Sequence, residues 1–193
     1  MATQQQRSDS TRQKLLDAFK ASFLERGYEQ TTTQQILLET GLSKGALYHH
    51  FRSKAEIIEA LYDHESRAAI DRVFELQDPA ASPLTRLKTA YLEWTRLVRA
   101  PDTAKILFEI GPAALGERRA KEIEEEASLK PIKHLLNAAT EAGEIDPPDQ
   151  DLLIALLNAL VAEAALYQLH TGRDPLATLD TTITAILSQM ASK

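Results

Sequence analysis

Between Thr32 and Lys54 the chain collects hydrogen-bond donors and cations that two short helices would gather on one side: Thr32 and Thr33, then Lys44, Tyr48 and His49, then Lys54. Hydroxyls, ammonium groups and an imidazole suit an array of phosphate oxygens, and the interleaved Gly45 and Ala46 would let a helix backbone approach the wall of a nucleic-acid groove. Lys44 is placed to reach a guanine edge or a phosphate, while Tyr48 offers its hydroxyl to phosphate and its ring to a thymine methyl. His49 is expected on phosphate and His50 half buried. Neither histidine has a second ligand at metal spacing, so their adjacency is not a metal site.

The elements that must position these groups are legible locally. Thr32 with Gln35 fits a capping box, a role compatible with phosphate contact, and Ile36 and Leu37 give the following short helix an inward face. Gly41 ends it, because glycine tolerates the left-handed backbone that helix C-termini use. Ser43 is the N-cap of a second helix whose buried stripe is Leu47 and Phe51. Ser53 with Glu56 makes a further capping box and starts the next helix after Arg52. Lys54 puts a positive charge at that helix's N-terminus, the unfavourable end, which a bound phosphate would offset. Two short helices around a tight turn form a helix-turn-helix, an element that reads DNA. The competing reading, a capped surface helix in a bundle, leaves the shared outward side of Lys44, Gly45, Ala46 and Tyr48 unexplained.

The same residues resemble a known family. Gly27, Tyr28, Thr31 and Thr32 form a G-Y-x-x-T-T entry, Ser43 to Phe51 reads S-K-G-x-L-Y-x-H-F, and Phe51, Ser53 and Lys54 complete F-x-S-K. From about Thr11 to about Leu61 the chain is similar to the DNA-binding domain of the TetR (tetracycline repressor) family of bacterial regulators. Over the C-terminal two-thirds the likeness covers only helix order and length. The resemblance implies a homodimer with a four-helix interface and a ligand cavity between the C-terminal helices.

Composition agrees with a soluble globular chain: 193 residues, 44% hydrophobic, 26% charged. Without cysteine there is no disulfide, thiol nucleophile or cysteine-ligated metal. The polar N-terminus has no signal-peptide core and no run of about 18 apolar residues stands out, so a cytoplasmic protein with no membrane partner is expected. The net charge of -6 argues against DNA, yet residues 1–54 carry eight Lys or Arg against five Asp or Glu, a local excess of +3. Only that part suits a phosphate backbone.

Helical periodicity runs through the chain and no period-two strand appears. The expected class is all-α with about nine helices: a helix-turn-helix domain at residues 1–52, then a helical effector-binding and dimerisation domain at residues 53–193. The first helix is expected from about Ser10 to Gly27. A sixth, with Leu107 and Phe108, is expected to stop at Gly111-Pro112. Residues 113–128, with Glu122, Glu124, Glu125 and Glu126, read as a solvated helix face or mobile connection, and a seventh helix runs from Leu129 with Pro131 in its first turn or as a kink. The helix from about Asp149 to His170 is apolar nearly all round, and Leu176, Leu179, Ile183, Ile186 and Met190 stripe the last one, so this pair is expected to pack against a second copy.

Tyr91, Trp94 and Phe108 are core residues by default, and with the family's cavity in view they become candidate effector contacts. Leu153, Leu156, Leu160, Glu163, Tyr167 and His170 follow one stripe, so Glu163 occupies an apolar position. It is either an interface or partly exposed residue held by its neighbours, or, with Tyr167 and Asn158, an effector contact that favours a cation or donor. His134 is a further polar candidate. The reading is a homodimeric regulator that binds a palindromic operator in double-stranded DNA and is released by a small-molecule effector, most naturally a repressor, with no cofactor. The alternatives are a DNA-binding regulator without an effector, which solid packing around Trp94 would favour, and an enzyme using Glu163 and His170, for which no nucleophile, phosphate loop or metal cluster is present.

Overall fold

Capping chemistry sets most of the helix starts. In the computed structural model, which describes residues 3–191, α1 (Gln4–Gln30) opens on a reciprocal Thr3–Gln6 capping box, earlier than the Ser10 start read from the sequence. Gly27, at φ 81° and ψ 167°, breaks its helical geometry before a last irregular turn. The Thr32–Gln35 box starts α2 (Thr33–Thr40), and Gly41 ends it in the left-handed region at φ 67°. Ser43 caps α3 (Lys44–His50), Ser53 caps α4 (Lys54–Glu75), and Ser82 with Pro83 starts α5 (Pro83–Leu97).

Two expected breaks are absent. Residues 101–115 run as one rod: α6 (Pro101–Lys105), a π-helical turn over Ile106–Ile110, and α7 (Gly111–Leu115). The Gly111 N–H donates to the Ile106 carbonyl, and this wider turn accommodates Pro112, which has no N–H and would clash in a regular turn. Residues 113–115 end α7, and past Gly116 residues 117–128 form a helix face and not a mobile connection. They open α8 (Glu117–Glu141), a 25-residue helix with Pro131 inside it, because Ala120 and Ile123 bury a stripe that continues to Ile132, Leu135 and Leu136. α9 (Gln150–Thr171) and α10 (Leu176–Gln189) complete the order. Counting 101–115 as one rod gives nine helices and no strand among the described residues.

Three apolar clusters divide the molecule. Leu15, Leu16, Phe19 and Phe23 of α1 close on Ile36, Leu47 and Phe51, and the cluster takes Ile57, Ile58 and Leu61 from α4. The larger cluster joins Val73 of α4 to Leu87 and Tyr91 of α5, Leu136 of α8, Leu157 of α9 and Ile183 of α10. Between them sit Tyr62, Leu107 and Ile123. α4, which begins just past the sequence-derived division after residue 52, contributes to both cores. Polar ties cross the same junction: Glu65 accepts from Lys20 at 2.6 Å and from Thr103 at 2.9 Å, and Lys105 reaches the Leu24 carbonyl at 3.3 Å.

One helix bears on the expectation about membranes, though a core helix of a soluble protein meets the same criterion. α9 is long and apolar enough to cross a bilayer by length and composition. Asn158 and Glu163 interrupt any unbroken apolar run, yet too few polar residues are present to lower the helix's average. Only 33% of its apolar window is buried within this chain.

Gly111 is the tightest point. A Cβ there would stand 2.2 Å from Cδ2 of the fully buried Tyr62 and 2.7 Å from the Ile106 carbonyl oxygen. Gly111→Ala is therefore expected to destabilise the chain by about 1–3 kcal/mol through overpacking. Gly45→Ala, whose new Cβ meets nothing closer than Ser43 Oγ at 3.8 Å, should leave stability unchanged or raised. Thermal melts of the two variants check the contrast.

Candidate functional site

The capped turn between α2 and α3 presents an exposed face. Lys44, Gly45, Tyr48 and His49 are exposed, Ala46 is half-buried, and Leu47 alone of α3 is buried against the head core. The Lys44 ammonium lies 5.7 Å from the Tyr48 ring centroid, so the two share one patch. Gly45 has open space around it, so nothing inside the molecule requires its small size. His50 is half-buried, its pKa lowered first by burial and then by His49 and Arg12. Thr32 is exposed and already occupied: its hydroxyl accepts from the Gln35 N–H at 3.3 Å and donates to Gln35 Oε1 at 2.9 Å, and Thr33, half-buried, begins α2.

Lys54 is used differently from the sequence expectation. Its Nζ donates to the carbonyls of Tyr28 at 2.8 Å, Thr31 at 3.1 Å and Glu29 at 3.5 Å, and stands 4.2 Å from the Tyr28 ring centroid. The charge at the wrong end of α4 is thus matched by the carbonyls that end α1, not held free for phosphate. Other head cations are engaged as well, Lys14 by the Thr40 carbonyl, Lys20 by Glu65 and Arg26 by Glu25 and Glu39. Among the described residues the Arg7, Arg12, Lys44 and Arg52 side chains have no ion-pair partner, Arg12 standing 5.2 Å from the Phe51 ring centroid. Arg52, exposed beside the patch, was passed over in the sequence as a hinge.

A second site lies in the body. α4, α5, the π-helical turn, α8 and α9 line a largely apolar cavity that is partly open to solvent. Tyr91, Trp94 and Asn158 line it, as do Ser66, Glu124 and Ser128, which the sequence reading missed. The hydroxyls of Ser66 (5% exposed) and Tyr91 (3%) have no hydrogen-bond partner among the described residues. Burial raises the Tyr91 pKa, which keeps its hydroxyl neutral. Tyr62 donates its hydroxyl to the Glu124 carboxylate. Burial raises the Glu124 pKa and Glu125 adds to the rise, against the opposing effects of the Tyr62 hydrogen bond and Lys121. Ala120, Ile123, Glu124 and Ala127 fall at helical spacing on one face, a signal hidden because a run of glutamates reads as solvated.

Several candidates do not join the cavity. Phe108 packs edge-on against Trp94, ring centroids 5.9 Å apart, without lining the space. Glu163 and Tyr167 are exposed on the outer face of α9, with Leu152 and Leu156. The α9 stripe splits: Leu153 is buried, while Leu156, Glu163, Tyr167 and His170 face out. His170 sits nearest Glu109, at 3.7 Å, and His134 is exposed. No group of three or more potential metal ligands occurs among the described residues.

A helix-turn-helix head joined to a helical body with a polar-studded apolar cavity is the architecture of a regulator. Residues 15–61 match the bacterial regulatory proteins of the tetR family, and residues 84–192 match the tetracyclin repressor-like C-terminal domain. The chain belongs to the TetR family. It is 36% identical over 88 residues to the transcriptional repressor KstR2 of Mycobacterium tuberculosis, covering 44% of this chain and 42% of that one. It is 36% identical over 73 residues to the transcriptional regulator TtgR of Pseudomonas putida, covering 37% and 35%. These matches thus span less than half the length of either relative. A tetR-family transcriptional regulator from Pectobacterium atrosepticum, 23% identical, superposes with a TM-score of 0.76 over 100% of this chain and 99% of its own. FadR from Bacillus subtilis, crystallised with stearoyl-CoA, gives 0.75 at 19% identity, over 92% and 98%. At those identities the solved structures establish the fold alone.

The carbonyl-bound ammonium makes Lys54 a structural residue. Lys54→Met is expected to cost about 1–3 kcal/mol in denaturant unfolding, where an ordinary surface lysine would change stability by less than about 0.5 kcal/mol. An unchanged midpoint would return Lys54 to the free cations.

Proposed function

We propose that the chain is a homodimeric DNA-binding repressor, released from a palindromic operator when a small molecule occupies the cavity. The observation that carries the DNA part is the exposed patch of Lys44, Gly45, Tyr48 and His49, with the half-buried Ala46 among them, on a helix capped by Ser43 and anchored by Leu47. With the patch in the major groove, Lys44 and Tyr48 reach base edges and phosphates, His49 and Arg52 reach phosphates, and Gly45 admits the backbone. The α2 N-terminus with Thr32 and Thr33 adds N–H and hydroxyl donors for the adjoining phosphate.

The dimer reading rests on α9 and α10. Leu152 is 55% exposed, Leu156 51% and Tyr167 40%, all on one face of a helix whose other faces are core and cavity wall. Beside it α10 exposes small residues, Ala177, Thr181, Thr184, Ala185 and Ser188. The Thr181 and Ser188 hydroxyls are bonded to their own helix backbone, so this face can approach another helix without stranding polar groups. A second copy covers both faces in a four-helix contact and places two α3 helices roughly 34–36 Å apart, or a small multiple. Glu163 then belongs to the rim of that contact. The open cavity around Trp94 favours effector control over a regulator without one.

Selection from a random DNA library with purified protein should return a two-fold symmetric site. Gly45→Leu and Tyr48→Ala should lose that site while melting like wild type, and retention of full affinity in both would remove the α3 assignment. Sedimentation should give about twice the 21.4 kDa chain mass, and Leu156→Lys should shift the species toward one chain mass.

A further inference from the structure

The cavity has a definite polarity. Its one ionisable acid, Glu124, hangs from α8 beside the space, and among the described residues no Lys, Arg or His lines it. The remaining polar groups are neutral: the unpartnered hydroxyls of Ser66 and Tyr91, the Ser128 hydroxyl, which is bonded to the Glu124 carbonyl at 2.8 Å, and the Asn158 amide. Pro131, one turn along α8, has no N–H to give the carbonyl of Ala127, another residue of the wall. The wall therefore offers one carboxylate and several neutral groups that can donate or accept, and holds no countercharge for an anion.

From this we infer that the effector is an apolar organic cation, an amine whose ammonium group meets Glu124 while its body lies against Trp94 and the aliphatic wall. The inference deepens the cavity reading above and depends on it. A carboxylate or phosphate ligand would bring a buried negative charge next to Glu124 with no cation to meet it, which is costly in a low-dielectric site. An ammonium donates to the Glu124 oxygen not taken by Tyr62, and finds further acceptors in the Ser66 and Tyr91 hydroxyls. The B. subtilis FadR neighbour, crystallised with stearoyl-CoA, holds an anionic molecule, so on this reading the shared fold is used for the opposite charge. On this reading the carboxylate that meets the cation is Glu124 on α8, while Glu163 stays on the outer face of α9.

The test uses three probes of one shape: 4-phenylbutylamine, 4-phenylbutanol and 4-phenylbutyrate. Trp94 is the chain's single tryptophan, so its emission reports occupancy of this cavity. The amine should bind at least about tenfold more tightly than the carboxylate, the difference one charge-assisted hydrogen bond supplies. Glu124→Gln should abolish that preference. Glu124→Asp should keep most of it, and Glu125→Gln, which removes an equal charge from the exposed side of the same helix, should keep all of it. Equal binding of amine and carboxylate by the wild type, or a preference that survives Glu124→Gln in a chain with native circular dichroism, would overturn the inference while leaving the cavity reading intact. If none of the three probes perturbs Trp94, the cavity reading itself fails and the inference falls with it.

Discussion

The contact between Tyr62 and Gly111 is the constraint on which the rest of the molecule turns. The ring of Tyr62 occupies the place a side chain at position 111 would need, and its hydroxyl is committed to Glu124 on α8. That single side chain therefore ties three things together: its own helix α4, the 101–115 rod whose Ile110, Ala114 and Leu115 pack on the head core, and the cavity wall. A close-packed interior has no slack to absorb movement at such a point. If α8 shifts to meet a ligand at Glu124, the Tyr62 ring has to follow or break its hydrogen bond, and either change bears on Gly111 and so on the helix beneath the head. The π-helical turn is the local distortion that lets glycine, proline and this ring coexist.

Charge is distributed with similar economy. The head's excess of +3 looks suited to phosphate, yet Lys14, Lys20, Arg26 and Lys54 are spent on carbonyls and carboxylates that hold α1, α2 and α4 together. Half of the head's eight cations are thus committed, leaving Arg12, Lys44 and Arg52 nearest α3. A face of this kind gains less from non-specific attraction to phosphate and relies more on hydroxyls, helix N-terminal N–H groups and close backbone approach, terms that depend on fit. The acidic body adds a long-range repulsion that only a well-fitted site overcomes.

The fold class, the helix-turn-helix and the N-caps of α2, α3 and α4 were legible because they rest on interactions within four residues: Thr32 with Gln35, Ser43 with Ala46, Ser53 with Glu56, Gly41 at the end of α2. What was not legible depends on partners far away in the chain. Lys54 looked misplaced because its carbonyl partners lie more than 20 residues earlier. Glu124 looked solvated because Tyr62, 62 positions away, is what turns it inward. Periodicity placed Glu163 on a stripe of α9 without revealing which side of that helix the core takes, and a helix apolar on every side gives no internal reference for the choice. Gly111-Pro112 read as a stop because a π-helical turn has no sequence rule as strong as proline's.

α9 shows why its sequence had to be ambiguous. One face enters the core through Leu153, Ile154 and Leu157, a second lines the cavity with Asn158, Val161 and Ala162, and a third leaves Leu152, Leu156 and Tyr167 open. A ligand in the cavity and a second copy on the open face would thus press on opposite sides of one rod. To move a two-state balance from 1:99 to 99:1 the ligand must favour one state by about 5.5 kcal/mol. One charge-assisted hydrogen bond, at about 1.5–3 kcal/mol, falls short of that. The remainder has to come from apolar contact that exists in only one arrangement, and burying the equivalent of one or two large aliphatic side chains, at about 1.5–3 kcal/mol each, would close the gap. Glu124 on this account selects the charge of the ligand, while the aliphatic and aromatic wall around Trp94 supplies most of the force that separates the states.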